Sequence, residues 1–228
     1  MTFSGFRPTI ALLSVAVLLP SCSDKGPAND ALGPAPEARG DMDRGKAYFT
    51  TCVACHGGYG EGNVGMNAPN LTQLDRDYLE RQLRYYREQI RGGVDDFYGW
   101  QMHGRAKALP DDQSVDDVVA YILTLPTADS EETLRHPVAE GEEIYSTECA
   151  TCHGNIGEGN LELQSPALAG LQDWYVLRQL ESYRSGMRGS HEKDKPGMQM
   201  KPFAAAIDND QSLRSVAAYI GTFKSTER

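Results

Sequence analysis

The chain has 228 residues, 40% of them hydrophobic and 24% charged, with a formal net charge of −10. That length holds one or two ordinary domains of about 100–200 residues each. The acidic balance argues against nucleic acid as a partner, because phosphate binding asks for a basic stripe; it suits either steering toward a basic protein or solubility alone.

Residues 1–21 read as an export signal. Arg7 is the only charge between Met1 and Pro8, and Ile10 to Leu19 form an apolar run broken only by Ser14. The run has the length of a signal core and is too short for a membrane span. It ends in Leu19-Pro20-Ser21-Cys22, which resembles a bacterial lipobox; Pro20 departs from the small or hydroxyl residue usual at that place. Of five cysteines, four belong to the motifs described next, so only Cys22 is left and no structural disulfide is implied. Lipid attachment accounts for a lone exported thiol, and ordinary cleavage beside a chance cysteine is the alternative. Ser23, in place of Asp, resembles lipoproteins sorted to the outer membrane. Residues 22–40, rich in Pro, Gly and Ala, are expected to form a lipid-anchored flexible tether. This predicts a protein on the periplasmic side of a bacterial membrane.

Cys52-Val53-Ala54-Cys55-His56 and Cys149-Ala150-Thr151-Cys152-His153 are both C-x-x-C-H segments, the attachment sequence of c-type haem. Two thiols two residues apart at a helix start can add to the two vinyl groups of one porphyrin. The next histidine then lies under the iron as proximal ligand. A C-x-x-C alone also suits a thioredoxin-like redox pair or half a zinc site. The following histidine and the second copy select haem. Two covalently bound haems are expected, on Cys52 and Cys55 with His56, and on Cys149 and Cys152 with His153.

The motifs belong to an internal repeat. Cys52 and Cys149, His56 and His153, Pro69 and Pro166, Tyr86 and Tyr183, and Arg91 and Arg188 all lie 97 residues apart. Met102 and Met200, and Tyr121 and Tyr219, lie 98 apart, which places one extra residue near His191–Lys195. The expected organisation is a first domain over 41–128, a linker over 129–137 and a second domain over 138–228. Helices are expected over Arg44–Thr51 and Ala139–Glu148, leading into the motifs. Gly-rich loops follow each histidine, where glycine permits positive φ and close approach, plausibly to the porphyrin. A phosphate-cradling role is excluded by the lack of a preceding strand and of a following Lys-Ser/Thr. Leu79, Leu83, Tyr86 and Ile90 share a helix face, matched by Val176, Leu180, Tyr183 and Met187. A last helix carries Val115, Val118, Val119 and Ile122, matched by Leu213, Val216, Ala217 and Ile220. No alternating strand of useful length appears, and the fold class expected is all-α.

The sixth ligand follows from position. Gly99-Trp100-Gln101-Met102 and Gly197-Met198-Gln199-Met200 place a methionine in the same loop of each copy, between middle and last helices. A thioether is a weak, soft donor that favours ferrous iron. Core packing is the other use of methionine, but recurrence after a shared Gln favours Met102 and Met200 as ligands. Met198 aligns with Trp100 and is set aside, and Met66 has no methionine counterpart. His103, beside Met102, would make a bis-histidine site, but Lys201 stands at its counterpart. His136 and His191 read as solvated surface groups.

Each half resembles a class I cytochrome c, and the pair resembles dihaem cytochromes c of the c-four type over about residues 41–228. The resemblance rests on Pro69-Asn70-Leu71 and Pro166-Ala167-Leu168, on Gln82-Leu83 with Tyr86-Arg87 and Gln179-Leu180 with Tyr183-Arg184, and on Met102 with Ala106-Lys107-Ala108-Leu109 and Met200 with Ala204-Ala205-Ala206-Ile207. It implies that the carbonyls of Pro69 and Pro166 accept hydrogen bonds from the proximal histidines. One departure is spacing: Gly45 stands seven residues before Cys52, Gly141 eight before Cys149. The lipid anchor is another.

With both irons holding six ligands, no site is open to substrate, so the expected function is outer-sphere transfer of single electrons rather than enzymatic turnover. The first expectation is a tethered shuttle from a quinol-oxidising complex to a terminal oxidase or reductase. An electron-transfer subunit fixed in a larger oxidoreductase is the alternative. A dihaem peroxidase needs one open iron, which the paired methionines argue against.

Overall fold

In each half the first helix crosses the last so closely that only glycine fits at the crossing. The computed structural model describes residues 1, 2, 5, 40–127 and 130–225. Cys22, the tether over residues 22–39 and all but three residues of the export signal therefore lie outside the described residues. Helix α1 (Met42–Phe49) starts at Asp41, whose carboxylate accepts from the backbone N–H groups of Asp43 and Arg44. It packs on α5 (Asp112–Ile122), which opens with a capping box between Asp111 and Ser114. A Cβ on Gly45 would stand 2.0 Å from the Asp117 carbonyl oxygen. In the second half α6 (Ala139–Ile144) crosses α10 (Asp210–Gly221), and a Cβ on Gly141 would stand 2.0 Å from the Ser215 carbonyl oxygen.

Gly45 and Gly141 therefore occupy equivalent places, 96 residues apart, although the cysteines are 97 apart. Phe49 against Tyr121 and Tyr145 against Tyr219, with ring centroids 5.4 and 5.7 Å apart, confirm that register. Besides the residue near His191–Lys195, the second half has one more between Gly141 and Cys149, and it absorbs that one in a π-helical turn, Tyr145–Cys149, directly before the motif. Such one-residue expansions of a helix are rare and cluster at functional places. The departure in glycine spacing has its physical cause here.

Between these outer helices lie α2 (Val53–His56) and α7 (Ala150–His153), then α3 (Arg76–Arg87) and α8 (Asp173–Arg184). Leu79, Val176, Leu180 and Tyr183 are buried as their spacing predicts. Ile90 and Met187 are not part of that stripe, because the helices end at Arg87 and Arg184, and Met187 is exposed. The stretches expected as methionine loops are helices, α4 (Phe97–Ala106) and α9 (Lys195–Ala205). Asp96 and Asp194 cap them by accepting from the N–H groups of Gly99 and Gly197. Pro196 sits in the first turn of α9, where its missing N–H has no cost. Among the described residues there is no strand, only the isolated bridges Asn63–Ala68 and Asn160–Ser165, and no helix is long and apolar enough to cross a membrane. The fold is all-α.

The two halves meet through contacts that repeat under an approximate two-fold exchange. The Asn70 N–H donates to Gln172 Oε1 at 2.8 Å, and the Ala167 N–H donates to Asp75 Oδ2 at 3.2 Å. Arg178 donates to the side chain and carbonyl of Asn67 at 2.9 and 2.8 Å, and Arg81 donates to the Gln164 carbonyl at 3.2 Å. Tyr78 and Tyr175 join their hydroxyls at 3.1 Å. The connection is tied down too: buried Asp173 accepts from the Thr133 N–H and hydroxyl and from the Leu134 N–H, at 2.6 to 2.8 Å. The halves pack into one compact unit.

Two outcomes follow. Gly141→Ala gains helix propensity worth up to about 1 kcal/mol, but its methyl meets a backbone carbonyl that cannot swing aside. A net loss of about 1–3 kcal/mol is expected, read by denaturant titration of the holoprotein. The second concerns Asp117, 1% exposed, which accepts from Arg44 Nε at 2.7 Å, from the Asp41 N–H at 2.7 Å and from Gln113. Burial works to raise its pKa, but these hydrogen bonds and the Arg44 charge outweigh it and hold the carboxyl below its ordinary value. Its contribution is therefore present above the unfolded carboxylate pKa of about 4 and is lost as pH falls through the lower folded value. Asp117→Asn should lower stability at neutral pH and flatten the acid limb of the stability curve.

Candidate haem-binding sites

Each C-x-x-C-H segment is a single helical turn whose first cysteine is the residue before the helix. Cys52, Cys55 and Cys152 are half-buried and Cys149 is buried. Burial raises the Cys52 thiol, and burial with Glu148 and Cys152 nearby pushes Cys149 up to about 12. That is opposite to the lowering a thiolate redox pair requires.

His56 and His153 are buried, and both rings are fixed in the same way. Nδ1 of His56 lies 2.8 Å from the Pro69 carbonyl oxygen, and Nδ1 of His153 lies 2.9 Å from that of Pro166. A carbonyl only accepts, so Nδ1 carries the proton and Nε2 keeps its lone pair. Burial lowers the pKa of both imidazoles, more than the carbonyl bonds raise it, and keeps them neutral. A neutral ring with a free, oriented Nε2 is what a metal requires. The Gly-rich loops make this arrangement possible. Gly62 and Gly159 have φ of +86° and +81°, and a Cβ on either would fall within 3 Å of the backbone at Pro69–Asn70 or Pro166–Ala167. Their close approach is to the stretch of chain that carries the proline.

In the second half a cavity gathers Cys149, Cys152, His153, Pro166 and Met200, closed by Leu171, Val176, Leu180, Val216 and Ile220. Met198 is not in its wall; it is 44% exposed on the outer side of α9. Met102 occupies the corresponding place on α4 and is half-buried. His103, next to it, has its Nδ1 engaged 2.5 Å from the Tyr86 carbonyl. His191 is exposed as expected, whereas His136 is half-buried, with Nδ1 3.3 Å from the Ser215 hydroxyl.

Sequence reasoning missed the polar lattice between the halves. Arg91 and Arg188 are buried. Arg91 donates to Gln82 Oε1 at 2.6 Å and to Gln179 Oε1 of the other half at 2.5 Å. Arg188 mirrors this, donating to Gln179 Oε1 at 2.7 Å and Gln82 Oε1 at 3.3 Å. Each guanidinium lies over its own half's tyrosine, Tyr86 at 4.6 Å and Tyr183 at 4.3 Å from the ring centre. No carboxylate pairs with either among the described residues, and both Nε groups are buried without a partner. Burial raises the Tyr78 pKa, but the two guanidiniums outweigh it and pull the hydroxyl down to about 8. The signal is in the repeat: Tyr78 and Tyr175, Gln82 and Gln179, and Arg91 and Arg188 are polar identities at the 97-residue offset, the tyrosines and glutamines on α3 and α8 and the arginines just after them.

A sequence profile of the cytochrome c family matches residues 42–126 and 138–224. The chain belongs to the cytochrome c family. It is similar to cytochrome c4 of Azotobacter vinelandii, 28% identical over 194 residues that cover 80% of this chain and 89% of that one. It is also similar to a thiosulfate dehydrogenase electron acceptor of Stutzerimonas stutzeri, 30% identical over 186 residues covering 77% and 80%. Among solved structures, reduced recombinant cytochrome c4 from Pseudomonas stutzeri superposes with a TM-score of 0.64 at 25% identity, covering 81% of this chain and 99% of that one. This cytochrome is a dihaem class I protein of the c4 type, with two covalently bound c-type haems, and it carries single electrons by outer-sphere transfer.

The residues present fit that cofactor on three counts. Both motif histidines offer Nε2, the second-half cavity is walled by aliphatic side chains around the two cysteines, and the buried guanidiniums lack the anions that a porphyrin's carboxylates would supply.

Proposed function

We propose that His56 and Met102 hold one iron and His153 and Met200 the other, with Cys52, Cys55, Cys149 and Cys152 as the covalent attachments. The observation that carries this is the second-half cavity, which Met200 lines together with His153 and both cysteines while Met198 stays outside. When bound, each haem supplies a one-electron ferric/ferrous couple. The chain's part is to hold it rigidly. Pro69 and Pro166 fix the tautomer and plane of the histidines. Leu171, Val176, Leu180, Val216 and Ile220 exclude water from the second site, which disfavours the more highly charged oxidised state. Arg91 and Arg188, bridged by Gln82 and Gln179, are placed to take the cofactors' carboxylates between the halves.

With a histidine and a methionine holding each iron, no position would be open to substrate, and this cytochrome would act as a carrier rather than an enzyme. Its partners are redox proteins, and a dehydrogenase that delivers electrons is supported by the relative named an electron acceptor for thiosulfate dehydrogenase. We place it on the periplasmic side of a bacterial membrane, tethered through Cys22 after removal of residues 1–21, as a shuttle between a quinol-oxidising complex and a terminal oxidase or reductase. A fixed place in a larger oxidoreductase is the second reading, supported by the same relative.

The ligand assignment is tested by potentiometric titration and spectra under carbon monoxide. The native protein should show two low-spin haems that resist the gas. Met200→Ala should open one iron to carbon monoxide and abolish half of the sulfur-to-iron charge-transfer band. Met198→Ala should leave both unchanged and cost less than about 0.5 kcal/mol, because its side chain is largely in solvent. A native protein that binds carbon monoxide points to an enzyme instead. For the tether, Cys22→Ala should release the protein from membranes with both haems attached, read by fractionation without detergent.

A further inference from the structure

The two halves repeat their interior contacts and differ along the helices that lead to the motifs. The second cavity opens to solvent past Glu148, Leu163 and Phe203. Leu163 and Phe203 are 47% and 43% exposed, so the opening is apolar. Glu148 belongs to the π turn, the segment that carries the second half's extra residue before the motif. The residue before the first motif is Thr51, a neutral side chain bonded to the Tyr48 carbonyl at 3.0 Å. The helix running up to each lip differs in the same sense. In the register fixed by Gly45 and Gly141, Lys46 and Ala47 of α1 correspond to Glu142 and Glu143 of α6. Glu142, Glu143 and Glu148 are exposed, and none has an ion-pair partner among the described residues. Of the cations lining the cavity, Arg188 is buried and Arg81 is turned to the Gln164 carbonyl. Lys193, Lys195 and Lys201 form no part of its wall.

We propose that this second lip is the docking face for a redox protein whose own electron-transfer edge is apolar and ringed by lysine or arginine. The proposal rests on the haem assignment above and adds the chemistry of one partner. The apolar opening would allow close approach to a cofactor held by Cys149, Cys152 and His153. Three unpaired carboxylates along the helix leading to it steer a basic rim there, which raises association rates without making a long-lived complex. The first half lacks these carboxylates, since Lys46 and Ala47 stand in place of Glu142 and Glu143 and Thr51 precedes the motif. Its neighbouring helix α4 instead shows solvent the rings of Phe97 and Trp100. The second half of this cytochrome therefore faces the basic partner.

The test uses the isotope-labelled holoprotein titrated with a lysine-rimmed single-haem cytochrome c as probe, followed by NMR at low and at physiological ionic strength. Shifts are expected to cluster on residues 142–149, 156–163 and 203, and to fade as salt rises. Glu142→Lys, Glu143→Lys and Glu148→Lys together should weaken binding about tenfold or more. A control of equal charge change, Asp95→Lys, Glu131→Lys and Glu132→Lys, should alter it less than about threefold, through net charge alone. Shifts centred on the first half, an equal loss in both triple variants, or no salt-sensitive binding to the native protein would overturn the proposal. Low-spin, carbon monoxide-resistant spectra are recorded on the same samples. If they are absent, the ligand assignment has failed; if they are present without docking at the second lip, only the docking face has.

Discussion

Two positive charges buried side by side set the terms for everything between the halves. Among the described residues Arg91 and Arg188 meet no carboxylate; they share two glutamine oxygens crosswise and lie over the faces of two tyrosines, and Arg188 also donates to the Tyr78 hydroxyl at 3.2 Å. Taking an ion out of water costs several kcal/mol even after relaxation, and a neutral amide oxygen returns about 1.5–3 kcal/mol per charged hydrogen bond. Each glutamine oxygen accepts from both guanidiniums, so the repulsion between the cations is relieved only in part. The lattice is therefore satisfied in geometry and left positive in charge. Two covalent haems bring carboxylates to a dihaem cytochrome, and the interface is built as though they were counted in advance. The halves are expected to pack most firmly when both cofactors are present.

The same reasoning explains which features were legible in the sequence. The motifs, the repeat and the helical class were plain, because covalent attachment and a duplicated apolar pattern leave fixed spacings. The proline carbonyls facing the histidines, expected from family resemblance, appear in both halves at nearly the same distance. The methionine stretches were read as loops because Gly99, Gly197, Pro196 and Pro202 break helix propensity. Capping by Asp96 and Asp194 overrides that local signal, and α9 carries Pro196 in its first turn and Pro202 in its interior. Polar residues on an otherwise apolar helix face escape any search for hydrophobic periodicity. Gln82 and Gln179 are central to the interface for that very reason: only a contact between distant parts of the chain gives them a role.

The break in the repeat before Cys149 shows how a duplicated fold acquires difference at little cost. One added residue in an α-helix would rotate everything after it by about 100° and drag His153 out of line. A π turn takes up the residue within five positions and returns the chain to register at the motif. Tyr145 secures the change, since its hydroxyl donates to the Gly154 carbonyl at 2.7 Å, a bond that Phe49 cannot make in the first half. The histidine, its proline and its cavity wall are left where the first half has them. The surplus side chain, Glu148, is pushed to the rim.

Symmetry inside and asymmetry outside have a consequence for direction. A lattice related by an approximate two-fold treats its two neighbours alike, so it does not by itself favour transfer from the first half to the second or the reverse. Whatever bias exists must come from where the halves differ: the cavity lips, the helices α1 and α6 that lead to them, and the outer faces of α4 and α9. Phe97 and Trp100 exposed on α4, Lys195 and Phe203 exposed on α9, and Lys46 and Ala47 in place of Glu142 and Glu143 are differences between surfaces that different proteins would touch. If each lip admits one class of partner, the order of encounters fixes the direction of flow, and the shared core need only keep both cofactors rigid and close.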